Sequence, residues 1–186
     1  KHKSFDLVVM MLPPDQTETR GNLADLKMKM SGVPIVVLAH SSHDAAKFSF
    51  GTRSLPYDYL FVWHGDGDII VSIIAFIEDS MNAPSDTELA GLQNLLVIEP
   101  SPEMFSVYLP VILRELREHC GRLLHGNLTF TQRLIRQKSR PRVHLARNYE
   151  EAVAVYTKLR THILGIITED NIPRNSGMDI KGGRRF

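Results

Sequence analysis

Ile163–Pro173, ILGIITEDNIP, is the stretch on which the reading of the fold depends. Leu164 to Thr168 is an unbroken apolar run that follows a helical pattern and leads straight into the acidic pair Glu169–Asp170. Such a run suits a central strand of a parallel sheet, covered on both faces. Open parallel sheets place their chemistry just past the carboxyl ends of their strands. A carboxylate at Glu169 or Asp170 therefore belongs to whatever site the chain carries.

Working outward, strand and helix alternate on both sides of this stretch. Before it come an apolar run at 94–98 (NLLVI), a helix opened by Ser101-Pro102-Glu103, and a strand at 143–146. The hydroxyl cap, first-turn proline and early acid mark that helix start. Its inward face takes Phe105, Leu109, Ile112, Leu113, Leu116, Cys120 and Leu123, with Pro110 inside. A helix then opens on the capping box Asn148–Glu151 and turns Val153, Tyr156 and Leu159 inward. A further helix is expected over Thr129–Gln137, a loop over Arg174–Asp179, and a begun helix over Ile180–Phe186.

The first half repeats the alternation. Buried strands are expected at 5–12 (FDLVVMML), 34–39 (PIVVLA) and 58–63 (DYLFVW). Helices fall at 17–30, from about Ser42, and at 68–81, where Asp68 caps a stripe of Ile70, Ile73, Ile74, Ile77 and Met81. Repeated strand–helix units argue for a parallel α/β sheet with right-handed crossovers. Asn82–Leu92, NAPSDTELAGL, is polar without an apolar period and reads as a linker. The division is then 1–84, a linker at 85–92, and 93–186.

Composition narrows the class. The 186 residues are 43% hydrophobic and 23% charged, ordinary for a soluble globular chain. No apolar stretch approaches the roughly 20 residues of a membrane span, and no signal-peptide core opens the chain. One cysteine, Cys120, excludes an internal disulfide, so a reducing cytoplasm is expected. Residues 1–93 carry 7 Lys/Arg against 12 Asp/Glu, and residues 94–186 carry 15 against 9. Opposite charge of this kind steers the halves together, or the basic half to an acidic partner. Arg133, Arg136, Lys138, Arg140, Arg142 and Arg147 cluster without interleaved aromatics, which argues for a solvated or partner-facing helix over nucleic-acid binding. The eight histidines lack ligand spacing, and NLLVIEPSPEMF lacks the dinucleotide glycine fingerprint.

The order of elements, with YDYLFVW, NLLVIEP and ITEDNIP, resembles two consecutive response-regulator receiver domains, both incomplete and degenerate. The first unit resembles the family's third to fifth strands and the second its first to third. The resemblance implies a doubly wound, flavodoxin-like α/β parallel sheet of order 2-1-3-4-5, with three strands contributed by each half of the chain. FVWHGDGD and the long spacer between the strands at 94–98 and 143–146 are also similar to receiver-like regions preceding pyruvate/phosphoenolpyruvate-binding modules.

The receiver family's chemistry implies an acceptor Asp four residues before a Pro at the third strand's end. It also implies two acids after the first strand for Mg²⁺, a hydroxyl ending the fourth strand and a Lys ending the fifth. Here Glu169, with Asp170 beside it, stands at the acceptor position four residues before Pro173. Glu99 fills the first acid position and Pro100 replaces the second. In the first unit Met11 holds the acceptor position, Ala39 the hydroxyl position and Val62 the lysine position, so that site is dead.

In the second unit, Mg²⁺ depends on Glu99 and Glu169 alone. Glu also sets its carboxylate a methylene further out than Asp, and a misplacement of about 1 Å can cost about 10²-fold. The expectation is a cytoplasmic pseudo-receiver: a signalling or regulatory module without enzymatic activity, acting through protein interaction. Its partners are other proteins or other domains of the same polypeptide, not nucleic acid or membrane, and no cofactor is expected. The rival readings are a live phosphoacceptor using Mg²⁺ in a two-component phosphorelay, and a regulatory segment of a larger phosphoenolpyruvate- or pyruvate-handling enzyme. The halves are further expected to cover each other's open sheet edges, within one chain or swapped in a homodimer.

Overall fold

The computed structural model describes residues 5–13, 19–49, 56–122, 139–174 and 177–179. The helix expected over Thr129–Gln137 and the begun helix over Ile180–Phe186 lie outside them. The chain divides into two compact units. One is Lys1–Ile69 with Pro102–Val107, and the other is Ile70–Ser101 with Tyr108–Phe186.

The first unit contains β1 (Val8–Met11), α1 (Thr19–Lys29), β2 (Ile35–Ala39), α2 (Ser42–Ser49) and β3 (Tyr59–Val62). Its sheet is parallel in the order β1-β2-β3, with Met11 beside Leu38 and Ala39 beside Val62. The run IVVLA is buried at every position because β2 is the centre strand. β1 is an edge strand whose residues alternate between half-buried and exposed, which corrects the expectation of a fully buried run. One face packs Ile35, Val37, Leu60 and Val62 with Leu23, Ala45 and Phe48 of the helices. Phe48 stacks on Tyr57 at 5.5 Å. On the other side Phe61 meets Phe105, from the first turn of α4 (Pro102–Arg122), at 5.7 Å. The Val62 N–H donates to the buried Ser106 hydroxyl, at 2.8 Å, which in turn donates to the Pro102 carbonyl.

The second unit holds most of α3 (Asp68–Ala90), β4 (Asn94–Ile98), the rest of α4, β5 (Arg142–Ala146), α5 (Tyr149–Leu159) and β6 (Ile163–Thr168). Its sheet is parallel in the order β5-β4-β6. The two orders are those of the last three and first three strands in a 2-1-3-4-5 sheet, so the doubly wound α/β architecture is present, three strands per half. β4, not β6, is the centre strand. β6 pairs on one side only, and Leu164, Ile166 and Ile167 are 51%, 37% and 44% exposed. An apolar run therefore marks an edge strand here, contrary to the expectation of a covered one. Asn148 caps α5 by accepting from Glu151 N–H at 2.8 Å, worth about 1 kcal/mol. The helix buries Ala152 and Leu159 and exposes Val153 and Tyr156, a stripe rotated from the expected one. Arg174 and Gly177–Asp179, expected as loop, lie in strands: β7 (Ile172–Arg174) pairs antiparallel with β8 (Gly177–Asp179).

The polar stretch read as a linker is helical as far as Ala90, despite Pro84. It looks unpatterned because its buried face is polar. Asp79, Ala83 and Thr87 continue the stripe begun by Ser72, Ile73 and Phe76. Asp79, 1% exposed, accepts both guanidinium nitrogens of Arg140, at 2.7 and 2.9 Å, and the Val143 N–H at 3.0 Å. Arg142 bonds Asp86 at 2.9 Å. Thr87 accepts from the Asn94 amide, whose oxygen faces His144 Nε2 at 2.8 Å. Gly91, at φ 62°, then turns the chain out of the helix.

This network reverses two sequence readings. Arg140 and Arg142 are inward, paired groups, whereas Arg133, Arg136 and Lys138 lie outside the described residues. The charge asymmetry between halves also shrinks. With Glu78, Asp79, Asp86 and Glu88 in the second unit, the first carries 7 Lys/Arg against 9 Asp/Glu and the second 15 against 12.

Removing one partner of a buried ion pair strands the other charge, at about 3–5 kcal/mol. Asp79→Ala is expected to lose stability on this scale in urea unfolding, and Asp79→Leu with Arg140→Met to recover most of it. Burial pulls the His144 pKa below its ordinary 6.5, Asp79 opposing and Lys158 assisting. A folded-state pKa below the unfolded one costs stability as pH falls through 6.5. The wild-type Tm should drop over that interval, and His144→Gln should flatten the slope.

Candidate functional site

In the first unit, Met11, Ala39 and Val62 end β1, β2 and β3 side by side at the sheet's carboxyl edge. Ala39 and Val62 are buried, and Met11 is 43% exposed. None of the three has an oxygen or nitrogen in its side chain. They form an apolar ledge without an oxygen to accept a phosphoryl group or to ligate Mg²⁺.

The second unit brings Glu99 and Glu169 together. β4 and β6 pair directly, and one of these acids immediately follows each strand. The Glu99 N–H donates to Ala146 O at 2.9 Å, and the Glu169 N–H to Ile98 O at 3.1 Å, so the ladder itself fixes both residues. Glu99 is buried and its Oε1 accepts from Ser101 N–H at 2.8 Å, a bond set by the turn through Pro100. Glu169 and Asp170 are exposed. Burial raises the Glu99 pKa above its ordinary 4.5, the Ser101 N–H opposes this, and the charge on Glu169 pushes it further up. Pro100 thus leads into the helix start whose Ser101 N–H occupies one oxygen of Glu99.

What this arrangement does chemically follows from charge. Two neighbouring carboxylates attract a proton or a cation and repel a phosphoryl dianion. Mg²⁺ asks for near-octahedral oxygen ligation, commonly from carboxylates plus phosphate and water. Glu99 and Glu169 are the groups that would hold it. Among the described residues, no set of three or more His, Cys, Asp or Glu side chains is gathered to bind a metal.

Two features at this end of the sheet are not evident from sequence. Arg174 of β7 lies 3.7 Å over the ring of Tyr149, in the first turn of α5. Ile172 is buried with Leu96, Ile98, Ala146 and Ala152, which seats the hairpin on the core. Among the described residues, no helix is long and apolar enough to cross a membrane.

Comparison of the chain with family models, curated proteins and solved structures gave no match.

A group whose folded-state pKa is raised adds stability below its unfolded value and loses it as pH rises. The Glu99 carboxylate therefore weakens the fold at neutral pH. Glu99→Gln keeps an oxygen for Ser101 N–H, so its Tm at pH 7 should exceed that of the wild type. The gain should vanish as pH falls below 4.5, where the wild-type acid is neutral in both states.

Proposed function

We propose that this chain is a receiver-like regulatory module, a pseudo-receiver that works through protein contacts without phosphotransfer of its own. The observation that carries the reading is the meeting of Glu99 and Glu169 on paired strand ends, with Glu99 buried and tied to Ser101 N–H. Two acids held at neighbouring strand ends support this reading, since a receiver would carry its phosphoacceptor at such an end. A glutamate there supplies permanent charge without turnover.

An exposed apolar stripe on α4 supports a role in protein contact. Met104, Val107, Tyr108 and Val111 recur at helical spacing and are all exposed, although the helix buries Phe105, Leu109 and Leu113 on its other side. Exposed apolar residues grouped on one face mark interaction surfaces.

Incubation with acetyl phosphate and Mg²⁺, followed by intact mass measurement, is expected to give no phosphoryl adduct. An adduct of one phosphoryl mass that disappears in Glu169→Gln or Asp170→Asn would instead make the chain a working phosphoacceptor.

A further inference from the structure

The outer edge of β6 is an unusual strand edge for a soluble sheet. Ile163–Thr168 contains no charge and no proline, and no strand among the described residues pairs with its outer side. Soluble proteins protect such edges with lysines, prolines, bulges or short strands. β6 is six residues long, and its only register shift lies at its start, on the β4 side. Leu164 and Ile166 fall on one face and are both exposed.

The flanks of the strand specify what pairs with it. Arg160 and His162, in a single 3-10 turn, lead into the strand, and Glu169 and Asp170 follow it. Parallel addition of a second copy would set like charge beside like. Antiparallel addition brings the basic flank of each copy to the acidic flank of the other, twice, through one two-fold axis. Registers centred on Gly165 or on Ile166 both keep Leu164 and Ile166 on a common face across the axis. A two-fold interface closes on itself, so the edge is consumed and no fibre grows.

We infer that β6 is a homodimerisation strand, pairing antiparallel with β6 of a second copy to make one continuous six-stranded sheet from two second units. The inference does not rest on the pseudo-receiver reading. It predicts that the oxygens of Glu169 and Asp170 face the partner's basic flank in the dimer.

Sedimentation equilibrium of the whole chain over a range of concentrations tests this. The expected species has twice the 21.1 kDa chain mass. Ile166→Lys places a charge in the new ladder and should give a monomer that keeps the wild-type circular dichroism. Arg160→Glu and Asp170→Arg should each weaken the dimer roughly several-fold, because each sets like charges near one another at both ends of the paired strands. The double variant should restore it, and this swap decides the question if Ile166→Lys fails to fold. A wild-type monomer at all concentrations overturns the inference. So does a mass that keeps growing with concentration, or a dimer indifferent to both the lysine and the charge reversals.

Discussion

Asp79 is the residue on which the second unit depends. It sits on α3, almost fully excluded from water, and receives two bonds from the Arg140 guanidinium and one from the backbone of Val143. A charge in that position is tolerable only when its hydrogen-bonding capacity is filled. β5 is an outer strand of its sheet, and the Asp79 bonds pin its beginning to the helix. With β5 in place, β4 is covered on both edges, and the ends of β4 and β6 hold Glu99 and Glu169 in fixed relation. The placing of Glu99 beside Glu169 therefore depends on an ion pair at the opposite end of the strands.

The second unit holds two kinds of carboxylate with opposite fates. Asp79 is buried against guanidinium and amide donors. Glu99 is buried against a single N–H and a second acid, so its charge is poorly compensated and its pKa rises. An acid that is both buried and unfavourably charged is seldom retained for stability alone, and such groups concentrate at functional sites.

Much of the fold was legible from sequence, for particular reasons. PIVVLA and NLLVI are short branched runs, and both became centre strands covered on both sides. Asn148 and Glu151 marked the start of α5 by their spacing, and the cap forms as expected. The failures share a cause: hydrophobic pattern stands in for burial only when burial is apolar. The last two turns of α3 bury only Ala83 and Thr87, too little apolar surface to show a pattern, so their polar composition resembled a linker. β6 shows the converse, an apolar run left at an edge, where its composition suggested the sheet centre. The hairpin of β7 and β8 contains Pro173 and Gly177, residues that read as turn in any single sequence. At the candidate site, the pairing of Glu99 with Glu169 followed from strand order, while the Ser101 bond and the Arg174–Tyr149 contact arise from tertiary packing.

On the proposed function, Glu99 and Glu169 hold a fixed charge rather than a working Mg²⁺ and phosphoryl site. A carboxyl ¹³C titration of Glu99, run with and without Mg²⁺, tests it most directly. The account expects a midpoint above 4.5 that Mg²⁺ leaves unchanged. A midpoint pulled down by Mg²⁺ would show a cation bound by both acids and contradict it.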